Sequence, residues 1–220
     1  MPTVKILKVE PVTHDVRRFT VEKPEGFRFE PGQATLVSVA RPEWQQEKRP
    51  FTFTSLNEWP ELEFTIKIYA DRHGVTDQLG RLQAGDELIV RKPWGTIQYK
   101  GPGYFIAGGA GVTPFIAILR QLRKEGQLAG NTLLFSNKTS RDIILRDEFE
   151  AMEGLSCVFT VTHEPDPGLE SRRIDRRFLE DKINDFSAHF YVCGPQQMVE
   201  DIKGHLAALG AQADSVVFEN

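Results

Sequence analysis

The sequence predicts two joined folds: an antiparallel β barrel over residues 1–100 and an open, Rossmann-like parallel sheet with helices over residues 101–220. Three observations carry this. Before residue 100, short runs of β-forming residues are split by turn signals; after it, strand-like and helix-like runs alternate. Between the two, the segment KPWGTIQYKGPG breaks the composition with glycine, proline and aromatic residues. A chain of 220 residues with 40% hydrophobic content is long enough to bury a core in each half.

In the first half, Val4, Ile6 and Val9, then Val16, Phe19 and Val21, then residues 35–40 read as strands, split by Pro11, Pro24, Gly26, Pro31 and Gly32. Leu62, Phe64, Ile66 and Ile68 alternate with Glu63, Thr65, Lys67 and Tyr69, which is the two-residue period of a half-buried strand. Residues 87–91 make another. About six such strands predict a small antiparallel barrel, because closure removes exposed strand edges. One helix, residues 76–82, interrupts them and starts at Gly74, Val75 and Thr76.

In the second half, strands are expected at residues 103–107, 132–136, 157–162, 189–193 and 215–218. Phe115, Ile118, Leu119 and Leu122 form one apolar helical stripe, and Val199, Ile202, Leu206 and Leu209 another. The first strand runs into YFIAGGAGVTPFIAIL, residues 104–119: a buried strand, a glycine turn and a helix start. Thr113 is expected at the N-cap and Pro114 at the first helical position. Gly109 and Gly111 let the backbone approach a ligand, and the free N–H groups at a helix start favour a phosphate. The turn reads as half of a dinucleotide site. It lacks the Lys-Ser/Thr ending of a phosphate-transferring P-loop.

A formal net charge of −4 and the lack of a basic, aromatic-interleaved block argue against nucleic acid as a partner. The longest apolar run is broken by glycines and a proline, so no membrane span is expected, and the N-terminus has no signal-peptide pattern. A cytoplasmic protein is the simplest expectation. Cys157 and Cys193 are too few for an iron–sulfur cluster, and the five histidines show no metal-binding spacing, so no metal is expected.

Three segments matter together: Arg49-Pro50-Phe51-Thr52, Gly74-Val75-Thr76, and the glycine turn followed by Cys193-Gly194-Pro195. In this order they resemble the ferredoxin-NADP reductase superfamily over essentially the whole chain. The resemblance implies a flavin-binding barrel at residues 1–100 and a pyridine-nucleotide domain at residues 101–220. It implies that Arg49 binds the flavin phosphates, Phe51 packs on the isoalloxazine ring and Thr52 hydrogen-bonds near N5. Pro50 and Thr54 of the same segment, and Ile66, Lys67 and Tyr69 of the next strand, join the flavin-binding positions. Gly74, Val75 and Thr76 would hold a flavin phosphate. A guanidinium fork suits a phosphate and an aromatic face suits a flat heterocycle. Strand alternation, however, turns Thr52 away from Phe51 unless the strand bulges or ends there. Tyr69 offers a stacking surface beyond the first phosphate, which favours FAD over FMN.

On the nucleotide side, the resemblance implies that the turn from Gly109 and Gly111 to Thr113 and Pro114 cradles a pyrophosphate. Cys193, Gly194 and Pro195 would lie beside the nicotinamide, with Cys193 a small polarizable neighbour of the hydride path. Phe218 and Glu219 match a terminal aromatic and an acidic residue beside the flavin. Thr52, Cys193 and Glu219 are thus the catalytic candidates. Ser136, Lys138 and Arg172, with Arg141 and Arg173, are candidates for reading a 2′-phosphate, so the nucleotide is NADPH or NADH with a slight lean to NADPH. The implied activity passes hydride from NAD(P)H to FAD, then electrons to a separate ferredoxin, flavodoxin or partner subunit, by a monomer or dimer. The alternative is a non-catalytic flavin-binding redox subunit or sensor.

Overall fold

The computed structural model describes residues 1–95, 97–212 and 216–218, with Phe218 described by its backbone only. The first half is a sheet of β1 (Thr3–Pro11), β2 (Val16–Glu22), β3 (Ala34–Val39), β4 (Arg49–Thr52), β5 (Glu61–Lys67) and β6 (Glu87–Ile89). Its strands pair antiparallel in the order β4-β3-β6-β1-β2-β5. The sheet curls until its edges meet: Phe53, just past β4, bridges Phe64 of β5, and the Thr54 N–H donates to the Glu63 carbonyl at 2.8 Å. Inward residues fill the curl, among them Ile6, Phe19, Val21, Leu62, Phe64 and Leu88. Phe53 stacks on Phe29 at 4.3 Å and meets Phe27 edge-on. Helix α1 (Val75–Leu79) presses Val75 and Leu79 into this core. It is shorter than expected. Gly80 ends it, and Leu82 reaches the core from a turn.

The second half is a parallel sheet of β7 (Gly103–Gly108), β8 (Asn131–Asn137), β9 (Leu155–Val161), β10 (His189–Cys193) and β11 (Val216–Phe218), ordered β11-β10-β7-β8-β9. The helices are α2 (Thr113–Glu125), α3 (Arg146–Glu150), α4 (Arg176–Lys182) and α5 (Gln196–Ala208). Alternation along β7 divides the core. Phe105 packs with Phe115, Leu119 and Phe135 on one face, while Ile106 packs with Leu134, Phe178, Ile202 and Leu206 on the other. A strand covered on both faces reads as an unbroken apolar run, which is why residues 104–107 carry no polar alternation.

The halves share core. Val16 of β2 and Ile97 of the connection lie in the same buried cluster as Ile118 of α2. Gly32 is required at this contact: its φ is +94°, and a Cβ there would strike the Ile97 carbonyl oxygen at 2.4 Å. The connection is held by Tyr191, whose hydroxyl donates to the Gly101 carbonyl at 2.8 Å and accepts from the Lys100 N–H at 2.9 Å.

Because Phe53 fills the barrel core and also anchors its closing bridge, Phe53→Ala is expected to cost about 3–5 kcal/mol of unfolding free energy, read by urea denaturation.

Candidate functional site

The topology of the second sheet makes the site. The chain leaves β7 toward β8 and β9 on one side, and β10 and β11 lie on the other, so a crevice opens where the carboxyl ends of β7 and β10 part. The glycine turn follows β7, and Cys193-Gly194-Pro195 closes β10. The two are packed backbone to backbone: a Cβ on Gly111 would meet the Cys193 carbonyl oxygen at 2.4 Å and Gly194 Cα at 2.6 Å. Gly109 is the opposite case. Its φ is +52° and a Cβ there would meet nothing within 4 Å, so this part of the turn faces open space.

Thr113 is not the N-cap. A 3-10 turn, Gly109–Val112, runs directly into α2, and the Thr113 hydroxyl donates to the Ala110 carbonyl at 3.0 Å. The free N–H groups therefore begin at the glycines, because the chain turns helical earlier than the Thr-Pro signal suggests. Pro114 is buried in the first turn of α2. Pro195 caps α5, so two helix starts open on one crevice.

The barrel supplies the opposite wall. A cleft of about 720 Å³ is lined by Pro50, Phe51, Thr52, Thr65, Ile66, Lys67, Tyr69, Thr76 and Trp94 from the first half, and by Ala110, Thr113, Cys193 and Gly194 from the second. The difficulty with Thr52 is resolved by the strand end: β4 stops at Thr52, and both Phe51 and Thr52 reach the cleft. Thr76 Oγ1 accepts from the Tyr69 N–H at 3.3 Å, which ties α1 to this wall. The Arg72 guanidinium lies 4.5 Å over the Tyr69 ring, and Lys67 Nζ pairs with Asp15 at 2.7 Å.

A second cavity of about 630 Å³ continues past the glycine turn. It is lined by Gly108, Gly109, Gly111, Ser136, Asn137, Lys138, Asp142, Thr162, Pro195 and Met198, with Tyr69 and Arg72 facing them. Ser136 and Lys138 thus join the glycine turn. The Asp142 carboxylate accepts from the Thr139 N–H at 2.8 Å and from its hydroxyl at 2.7 Å. Burial opposes its charge, but those bonds win and hold its pKa below the usual carboxylate value.

Several other expected residues do not line these cavities. Arg49 is exposed beside Pro50 and donates to the Lys48 carbonyl at 2.8 Å. Thr54 is buried and donates to Glu63 at 2.7 Å, away from the cleft. Gly74 caps α1, and Val75 points into the barrel core, leaving Thr76 as that segment's residue on the cleft. Arg172 does not line either cavity: its guanidinium bonds Asp181 at 2.6 Å and Glu170 at 3.2 Å, over the Phe178 ring. Phe218 pairs through its backbone with Val192, and Glu219 lies outside the described residues.

Two features escape a reading by motif. Asn137, 5% exposed at the end of β8, keeps both side-chain amide atoms buried without a hydrogen-bond partner among the described residues. Two unsatisfied polar atoms cost about 1–3 kcal/mol each unless a ligand or water meets them. The signal was an asparagine closing the apolar run LLFSN. The other is a face of α5: Gln196, Val199, Glu200 and Lys203, spaced three and four apart, also line the larger cleft. The open Gly109, the two helix starts and the orphaned amide of Asn137 fit a dinucleotide; the aromatic faces of Phe51 and Tyr69 fit a flat ring system.

The family described as oxidoreductase FAD-binding domain matches residues 3–99, and that described as oxidoreductase NAD-binding domain matches residues 105–204. NADH-cytochrome b5 reductase 2 of Mycosarcoma maydis is 27% identical over 95% of this chain and 69% of its own length. The reductase component of propane 2-monooxygenase from Rhodococcus jostii is 26% identical over 98% of this chain, which spans 62% of that relative. In fold, the chain matches a ferredoxin NADP+ reductase from Neisseria gonorrhoeae, solved with FAD and NADP bound, with a TM-score of 0.87 at 22% identity over 100% of this chain and 98% of that one. With the two matched domains succeeding each other along nearly its whole length, the chain belongs to the ferredoxin-NADP reductase superfamily and is an FAD-dependent NAD(P)H oxidoreductase.

Proposed function

We propose that this chain draws reducing equivalents from NAD(P)H through FAD and delivers them to a separate protein acceptor, a ferredoxin, a flavodoxin or the partner component of an oxygenase. One observation carries the reading: a single cleft has aromatic and hydroxyl residues of the barrel on one wall and the glycine and Cys193 turns of the parallel sheet on the other. Bound FAD supplies the chemistry, taking two electrons as hydride and releasing them singly. The protein does the rest by holding and orienting.

In this reading residues 1–100 hold FAD and residues 101–220 hold the nucleotide. Phe51 and Tyr69 give flat contact surfaces, Thr52 offers a hydroxyl at the strand end, and Arg49 beside Pro50 meets phosphate. Thr76, with Ile66 and Lys67, completes that wall. Gly109, Gly111 and the start of α2 take the pyrophosphate, and Cys193 and Gly194 leave room for the nicotinamide because both are small. Lys138, not Arg172, is the cation of the second half that meets a 2′-phosphate, since Arg172 is already bound by two carboxylates. Among the described residues no helix is long and apolar enough to cross a membrane, in keeping with a cytoplasmic place.

The purified protein is expected to be yellow, to bleach anaerobically on addition of NADH or NADPH, and to turn over with ferricyanide, which a non-catalytic flavin subunit would not do. A colourless protein that binds no added flavin overturns the proposal. Gly111→Ala should raise KM for the nucleotide by about tenfold or more with FAD content unchanged, because the new methyl forces the two turns apart. Lys138→Ala should raise KM for NADPH by about tenfold and leave that for NADH within about twofold; equal effects on both would remove the 2′-phosphate role.

A further inference from the structure

Between the two halves, away from the cleft, a guanidinium is buried. Arg120 of α2 is 9% exposed. Its Nη1 donates to Glu63 of β5 at 2.6 Å and to the carbonyl of Thr54 at 2.7 Å; Nε and Nη2 donate to the Glu148 carboxylate of α3 at 2.6 and 2.9 Å. The Trp59 ring lies 5.3 Å away. Glu63 is itself 6% exposed and accepts a further bond from the Thr54 hydroxyl. Burial disfavours the charge on Arg120, but the Glu148 and Glu63 carboxylates outweigh it and hold its pKa above the ordinary arginine value.

The elements that meet here also end at the cleft. From Thr54 back to Thr52, the last residue of β4, is two residues, roughly 7 Å of extended chain. From Arg120 back to Thr113 is seven residues of helix, roughly 10 Å. One rigid segment therefore links the guanidinium to the flavin-side wall, and another links it to the glycine turn. An arginine fork fixes direction as well as distance, which a lysine does not.

Resting on the functional reading above, we infer that Arg120 is a positioning residue for hydride transfer: it sets the separation and angle between the β4 end and the glycine turn, and so the approach of the two rings. It touches neither cofactor. Its loss should leave each cofactor bound and spoil their mutual alignment, and a misplacement of about 1 Å can cost about 100-fold in rate.

The test compares the wild type with Arg120→Lys, Arg120→Met and Glu63→Gln. Four quantities are read: FAD content, nucleotide Kd, the rate of anaerobic flavin bleaching at saturating nucleotide, and the long-wavelength absorbance produced when NAD+ stacks on reduced flavin. Calorimetry of each flavin-loaded protein adds a readout without turnover. The expected result for Arg120→Lys and Arg120→Met is bleaching slowed by about 100-fold, stacking absorbance lost, FAD content near one per chain and Kd within about threefold. The wild type should melt in one transition, and the variants in two, as the halves uncouple. Glu63→Gln, which keeps the shape of the acceptor, should slow bleaching by about tenfold and keeps the inference testable if Arg120→Met does not fold. Unchanged bleaching in Arg120→Lys and Glu63→Gln, or slowing that tracks lost FAD, overturns the role of Arg120 and leaves the functional reading standing. A wild type that does not bleach with either nucleotide overturns both.

Discussion

Burying a guanidinium between two packed sheets costs several kcal/mol of lost hydration unless its N–H groups find acceptors, and Arg120 finds them in β5, in the turn after β4 and in α3. Removing one partner of such a pair typically costs about 3–5 kcal/mol, because the other charge is left buried and unpaired. The interface therefore tolerates one relative placement of the halves and penalises its neighbours. Lys124 to Glu58 at 2.6 Å adds an exposed pair nearby, and His14 faces Asp142 at 3.6 Å on the other side of the seam. The Lys124–Glu58 pair, exposed on both sides, contributes little to stability. Direction comes from the buried fork, and adhesion from Val16, Ile97, Ile118 and their apolar neighbours.

Given that placement, the cleft follows from topology. A parallel sheet whose first strand sits in the middle must part its loops at the carboxyl ends of β7 and β10, and the barrel face with Phe51, Thr52 and Tyr69 lies opposite that parting. Small residues concentrate where backbones cross: Gly108, Gly111 and Gly194 bring the turns after β7 and β10 within contact distance. Gly109 has a different reason, since it opens to the cavity with a positive φ. His14, Asp15 and Asp142 bring ligand-type atoms within 4.8 Å of one another at the seam. Lys67 already neutralises Asp15 there at 2.7 Å, so the cluster reads as part of the contact between halves.

Legibility in the sequence followed the range of the interactions. The change from two-residue alternation to strand–helix rhythm, the glycine turn and the stripe on α2 are local, and each appears in the structure within a residue or two. Helix α2 starts one residue before the expected position, and the 3-10 turn over Gly109–Val112 that precedes it is something a Thr-Pro signal does not announce. Arg172 had the right charge for a phosphate, yet Glu170 and Asp181 take it, and nothing in the spacing of those residues signals the capture. Asn137 was one polar residue at a strand end until burial showed its amide unpartnered among the described residues.

What the sequence determined by itself is the succession of a β half and an α/β half, with glycines where a backbone must be approached. Those features depend on neighbours within a few positions, through periodicity and allowed φ. Only the tertiary structure decided that Thr54 and Glu63 serve the seam and not the cleft, that Arg120 is a buried link and not one more charge on a helix, and that Gly111 is fixed by the carbonyl of Cys193. Those outcomes join residues tens of positions apart, and a chain reports such pairings only once close packing has chosen which side chains are sealed from water.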